Sequence, residues 1–316
     1  MSRLFRDVEG GPRCPHGSVV CIGAFDGLHL GHRALVRHTV SRARSLALPA
    51  VALSFEPLPR EFFARGEAMP RLSTARAKAR GLWALGIDQV GLLRFNTALS
   101  ALSAETFVER VLVDRLQARE VWVGPGFGFG HRRGGTLSTL QTLGKAHGFS
   151  AAEIEPVLVD AERVSSTAIR EALRNGDFEH ASRLLGRPYA IEGRVVRGRQ
   201  LGRTLGYPTA NLRLGGRVPA LTGIFAVRVT GVEGRVWPAV ASLGTRPTVD
   251  GVEPLLEVHL FDFDGDLYGR CIEVEFVAKL RDEVRFESLD ALTEQMHRDA
   301  AQARDLLTHD QRRAFG

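Results

Sequence analysis

Apolar residues in the first half of the chain fall in short runs, VVCIG, VALSF, VGLLRF, VWVG and EPVLV, between Val19 and Val159. The stretches between them place apolar positions at helical spacing, with helices expected over roughly Leu30–Leu46, Ala75–Leu85 and Ala104–Leu116. Strand runs alternating with helices predict a parallel sheet covered by helices, the α/β, Rossmann-like class. Ligands of such sheets bind at the carboxyl ends of strands, so the loops after VVCIG and VWVG are the places for a site. Two helices close this half. AIREALRN stops at Gly176, Asp177 caps FEHASRLL, and that helix stops at Gly186.

Beyond Gly186 the period changes from helical to alternating. IEGRVVRG, IFAVRVTG, VWPAVAS, LLEVHLFDF and CIEVEFV are strand-like runs parted by Gly, Pro and Asp turns, and helical spacing returns over Leu289–Leu307. That pattern predicts an antiparallel barrel with a C-terminal helix. The domains expected are therefore 14–185 and 186–312, consistent with 316 residues being about twice an ordinary domain length.

Composition narrows the partners. The chain is 44% hydrophobic and 25% charged, as in soluble globular proteins, and no run is long and apolar enough for a membrane span. Cys14, Cys21 and Cys271 are scattered, which suits a reducing cytoplasm and no disulfide framework. The net charge of +6 is spread over 42 basic and 36 acidic residues, so small polyanions account for it and no nucleic acid is expected. Nothing in the sequence specifies an oligomeric state.

GAFDGLHLGH, Gly23–His32, places a glycine turn between the strand VVCIG and a helix expected to begin near His29. His29 and His32, three apart, are expected on one face of its first turn. Unpaired N–H groups and the helix dipole favour a triphosphate there, and two imidazoles can donate to phosphate oxygens as pyrophosphate leaves. An isolated HxxH is more often a surface or packing pair. The preceding strand and turn favour the nucleotide, and the absence of HExxH spacing disfavours zinc.

The decapeptide resembles the HxGH signature of the nucleotidyltransferase superfamily, and its wording is similar to bacterial bifunctional riboflavin kinases/FAD synthetases. FEPLPREFF (Phe55–Phe63), VGPGFGFGHRRGG (Val123–Gly135) and VSSTAIR (Val164–Arg170) agree with that family in order and spacing. The resemblance implies ATP contacts at Gly23, Phe25, His29, His32, Ser166, Thr167 and Arg170. On physical grounds alone, the hydroxyls of VSSTAIR are either helix caps or phosphate ligands. VGPGFGFG is either a close backbone approach to ligand or a turn with Phe127 and Phe129 packed inward. The family usually carries Asp or Asn where Gly126 stands. FMN phosphate is ionised near neutral pH, so attack on the α-phosphorus of ATP needs positioning and charge stabilisation rather than a base.

No Walker A segment is present; LGKAHG lacks both the leading glycine and the hydroxyl after Lys145. Gly186–Leu212, GRPYAIEGRVVRGRQLGRTLGYPTANL, resembles the opening of the riboflavin kinase barrel. Thr209 and Asn211, two apart, point to one side of an extended segment and are hard donors suited to Mg²⁺ with ATP, although PTAN by itself also suits a turn. VVRGRQLGR, Val195–Arg203, resembles the family's phosphate-covering loop, with Gly198 and Gly202 expected to give flexibility. Arg246 stands where the family more often has Asn. In LLEVHLFDF, Glu257 and His259 face away from Leu256, Val258 and Leu260, an arrangement that by itself is ordinarily a solvated face. The resemblance makes Glu257 the general base for the riboflavin 5′-hydroxyl. FDFDGDLYG lacks EF-hand spacing, and Asp264–Gly265 are expected to form a hairpin turn.

Riboflavin, FMN, FAD, ATP and Mg²⁺ are thus the expected ligands, with no segment assigned to the flavin ring. A kinase-only chain with an impaired first domain is the alternative, motivated by Gly126. An adenylyltransferase for another phosphorylated metabolite and an RNA-binding synthetase-like protein are further rivals; the barrel motifs oppose the former, and absence of KMSKS weighs against a synthetase proper.

Overall fold

The computed structural model describes residues 3–64, 69–198, 202, 205–214, 218–248 and 251–314, with backbone alone at 246–248, 251–253 and 310–314. The chain forms two compact units, Met1–Met69 with Ala75–Ser166, and Pro70–Thr74 with Thr167–Gly316. The boundary expected between Leu185 and Gly186 falls within the second.

The first unit is built on six parallel strands in the order β1-β4-β3-β2-β5-β6. They are β1 (Leu4–Phe5), β2 (Ser18–Ile22), β3 (Ala50–Glu56), β4 (Gln89–Arg94), β5 (Ala118–Val123) and β6 (Ser150–Glu153). Every residue of the central β2 is buried, as a strand covered on both faces requires. Val19 and Cys21 pack toward α1 (Leu30–Ser45) and α3 (Ala75–Ala84), while Val20 and Ile22 join the opposite core with Phe107 and Val108. Leu82 of α3 is fully buried, and truncating such a side chain to Ala costs about 2–5 kcal/mol. Short helices α2 (Pro59–Phe63), α4 (Thr97–Ser100) and α5 (Ala104–Phe107) follow β3 and β4, and α6 (Leu137–His147) precedes β6. The helix expected over Ala104–Leu116 widens after Phe107 into π-type turns, closed by Leu116 N–H on the Val111 carbonyl.

One strand expectation is corrected. The edge strand is Ser150–Glu153, not EPVLV. Pro156 has no N–H to give a ladder, and Leu158–Val159 pairs instead with Glu162–Arg163 around Asp160 and Ala161, both with positive φ. These short strands are β7 and β8.

The second unit contains α7 (Ser166–Arg174) from Thr167 onward and α8 (Phe178–Leu185). Asp177 caps α8 through a 2.9 Å bond from His180 N–H, and Gly186 ends it in the left-handed conformation. The closed antiparallel barrel follows in the order β10-β13-β12-β11-β14-β9. Its strands are β9 (Ala190–Val196), β10 (Ala210–Arg213), β11 (Gly223–Val232), β12 (Arg235–Thr248), β13 (Gly251–Leu260) and β14 (Cys271–Arg281), and α9 (Leu289–Ala314) packs outside them. Asp264–Gly265 do not form the expected hairpin turn. β13 pairs with β10 and β12, and β14 with β9 and β11, so the segment between them connects strands that are not neighbours. Among the described residues, no helix is long and apolar enough to cross a membrane.

Candidate active sites

The first site stands where β2 runs into α1. Phe25, Gly27 and Leu28 all have left-handed φ values, +49°, +84° and +46°, so the chain reverses within a few residues. Phe25 is fully buried, and a Cβ at Gly23 would lie 3.1 Å from its ring, which explains the glycine by close approach. The helix begins at Leu30. His29 is therefore its N-cap rather than a helical residue, because its Nδ1 accepts the His32 backbone N–H at 3.2 Å. That bond puts the proton of neutral His29 on Nε2, making Nε2–H the donor. The His29 and His32 rings stack with centroids 3.6 Å apart, and Phe25 meets His32 edge-on.

The Ser166 hydroxyl donates to the Asp26 carbonyl at 3.1 Å, tying VSS to the FDG turn instead of capping a helix N–H. Thr167 and Arg170 lie on α7 in the second unit, where Arg170 Nε donates to the Pro70 carbonyl at 2.7 Å. In the glycine loop Phe127 and Phe129 stack and pack on the core. Gly126 has φ +75°, and its N–H donates to Glu153 Oε2 at 3.1 Å while its carbonyl accepts from Arg133 at 3.2 Å.

Two features of this unit escaped the sequence reading. Lys78 of α3 is 0% exposed and donates to the Ser54 hydroxyl at 3.1 Å, which donates in turn to the Ala24 carbonyl at 3.0 Å. The signal was a lysine on the helical stripe shared by Ala75, Ala79 and Leu82. Phe55, Phe62, Phe63 and Phe95 form an edge-to-face cluster at the carboxyl ends of β3 and β4, with Phe63 61% exposed. An exposed aromatic group at that edge of a parallel sheet was legible from FEPLPREFF.

The second site is a row of side chains across three strands. β10, β13 and β12 place Asn211 opposite Glu257 and Glu257 opposite Ser242, so all three share one face. The neighbouring row, Leu212, Leu256 and Leu243, is fully buried on the other. Glu257, Thr209 and Ser242 line a cavity of about 530 Å³, a size suited to a small molecule. Leu292, Met296 and Phe286 give it an apolar wall, and Arg281 and Asp299 a charged one.

Asn211 is 4% exposed, its Nδ2 donates to the Thr209 carbonyl at 3.3 Å, and its Oδ1 is a buried acceptor with no partner among the described residues. A Cβ at Gly198 would come within 2.6 Å of that oxygen, and one at Gly202 within 2.2 Å of the Tyr207 carbonyl. Close approach therefore favours glycine at both positions. Residues 199–201 and 203 of the arginine-rich loop, and the Arg246 side chain, lie outside the described residues.

Asp299 accepts Arg281 Nη2 at 2.7 Å and Gln295 Nε2 at 2.8 Å. A carboxylate on the buried stripe Met296–Ala300–Ala303 was the sequence signal for it. His259 Nδ1 donates to the Pro208 carbonyl at 2.9 Å; burial holds its imidazole below the ordinary range and that bond opposes the shift. Tyr207 OH and His297 Nδ1 are 2.5 Å apart, and burial raises the phenol. Among the described residues, no group of three or more His, Cys, Asp or Glu could hold a metal ion.

The FAD synthetase family model matches residues 11–168 and the riboflavin kinase model residues 185–307. A bifunctional riboflavin kinase/FMN adenylyltransferase from Haemophilus influenzae is 42% identical over 302 residues, 96% of this chain and 98% of that one. The chain belongs to this family. Relatives with the same description from Escherichia coli K12 and Pseudomonas fluorescens are 43% and 47% identical, covering 96% and 92% of this chain and 97% and 93% of theirs. A solved structure from Streptococcus pneumoniae, described as a macrolide-efflux protein, shares the fold with a TM-score of 0.77 and 31% identity over 95% of this chain and 98% of that one. Membership brings both activities, FMN adenylyltransferase with the parallel-sheet half and riboflavin kinase with the barrel. The kinase-only alternative gains no support, since the FAD synthetase model matches the first half of the chain alongside the riboflavin kinase match in the second.

Proposed function

We propose that residues 186–312 transfer the γ-phosphoryl group of ATP to riboflavin, that residues 14–185 join the resulting FMN to the AMP part of a second ATP, and that both steps run in the cytoplasm. The observation that carries the first step is Glu257, which lines the cavity and stands opposite Asn211 on the neighbouring strand. The riboflavin 5′-hydroxyl is not ionised at neutral pH, so Glu257 accepts its proton as the oxygen attacks phosphorus. The orphaned Asn211 Oδ1 and the neighbouring Thr209 fit a hard cation, so these two residues would hold Mg²⁺ with the ATP phosphates. Bound there, Mg²⁺ would neutralise developing phosphate charge. Gly198 and Gly202 stand at the ATP phosphates on the strength of the motif match, and the wall of Leu292, Met296 and Phe286 receives the isoalloxazine ring.

In the first site His29 and His32 donate to the departing pyrophosphate at the α1 N-terminus. Contacts with ATP at Gly23, Phe25, Ser166, Thr167 and Arg170 rest on the motif match; the burial of Phe25 restricts its part to the backbone. The exposed Phe62 and Phe63 are the platform for the flavin ring.

Product analysis of the full chain with riboflavin, ATP and Mg²⁺ tests both steps. FMN accumulates first with one ADP per flavin, and FAD follows with one pyrophosphate. Accumulation of FMN without FAD would overturn the second step.

A further inference from the structure

The barrel strand that carries Asn211 has an abrupt end. Its pairing with β13 begins at Ala210 opposite Val258, and continuing the register by one sets Thr209 opposite His259. Pro208 has no N–H with which to extend the ladder. The strand end holding Thr209 thus lacks a backbone anchor at Pro208, and a side chain from the facing strand supplies one: His259 Nδ1 donates to the Pro208 carbonyl at 2.9 Å. The imidazole is itself held edge-on by Tyr207, 4.9 Å away, and by Phe261 at 5.8 Å, while Tyr207 is fixed by its bond to His297 on α9. His259 lies two residues after Glu257 on the same face and lines the same cavity.

The geometry points to His259 as a positioning residue: its Nδ1–H clamps the Pro208 carbonyl, holding the Thr209–Asn211 donor pair at a set distance from Glu257. It acts through the Pro208 carbonyl rather than on the reacting atoms. The clamp rests on the reading of Thr209 and Asn211 as the Mg²⁺–nucleotide ligands.

His259→Phe keeps the ring and its packing but has no donor, whereas His259→Asn loses the ring and places Nδ2–H near the position of Nδ1. Calorimetric titration of Mg·ADP onto the full chain reads the clamp without turnover, the barrel event being the one lost in Asn211→Ala. We expect His259→Phe to weaken that event about tenfold, the size of one lost hydrogen bond. His259→Asn should stay within about threefold of wild type. The second nucleotide event, in the other half, is unchanged in both and serves as the internal reference, while near-normal binding in His259→Asn reports that the barrel tolerates replacement of the ring. Wild-type affinity in His259→Phe, or His259→Asn as weak as His259→Phe, would overturn the clamp. If Asn211→Ala removes no event, the metal-ligand reading fails and the clamp falls with it, an outcome distinct from the other two.

Discussion

The two sites handle the same co-substrate with different architectures. In the first unit the groups gather at one end of a parallel sheet, around a helix N-terminus capped by His29. In the barrel they stand in a row across β10, β13 and β12, with a carboxylate in the middle. The nucleophile explains the difference. An FMN phosphate arrives ionised, so the first site needs only donors for the leaving group, and none of its assigned residues is a carboxylate. A flavin hydroxyl arrives protonated, so the second site needs a base within reach of its proton.

The widest separation of the two follows from that. Glu257→Gln should lower FMN formation by about 10²–10⁴ while adenylylation of supplied FMN continues at the wild-type rate, measured by following each product separately. Loss of both activities, or of neither, would break the assignment of the base to one site. The converse variant, His29→Ala with His32→Ala, should lower FAD formation by about 10²–10³ and leave riboflavin phosphorylation intact. Equal damage to both products would mean that the histidines support the fold rather than the chemistry.

The sequence revealed the two halves unequally. β2, α7 and α8 were legible because each is bounded by a local signal, a buried apolar run or a cap such as Asp177 and Gly186. Alternation in LLEVHLFDF correctly placed Glu257 opposite Leu256 and Val258. What failed was decided by pairing over distance. Ser150–Glu153, SAAE, has no β-branched or aromatic residue and little strand character, yet it takes the sheet edge beside β5, and the apolar EPVLV does not. Asp264–Gly265 carry a hairpin composition, but a closed barrel gives β13 and β14 other neighbours. Lys78 was overlooked because a lysine suggests solvent, and only the packed structure shows it behind the FDG turn.

That buried lysine offers a subtler test of the same contrast. Through Ser54 it supports the Ala24 carbonyl, one residue before the turn that delivers α1. Lys78→Met keeps most of the volume and removes the donor, so FAD formation should fall about tenfold while FMN formation is unaffected. Rates for both products in one assay decide it. An unchanged FAD rate would show that the turn holds without support from α3.

Gly126 should matter least, although the family usually has Asp or Asn there. Its φ of +75° is in the left-handed region, where Asn and Asp are the side chains tolerated best. A Cβ at this position would meet no atom within 4 Å, so Gly126→Asn should cost the first unit at most about 1 kcal/mol, read from thermal unfolding. Glu153 already brings a carboxylate to this point of the loop by accepting the Gly126 N–H. Gly126→Asp therefore sets two carboxylates side by side and should be the poorer of the two variants, because like charges at close range repel. Adenylylation in Gly126→Asn should stay within about threefold of wild type, the change expected when no hydrogen bond to substrate is gained or lost. A gain of tenfold or more would show instead that the glycine deprives the first site of a ligand contact which Glu153 does not replace.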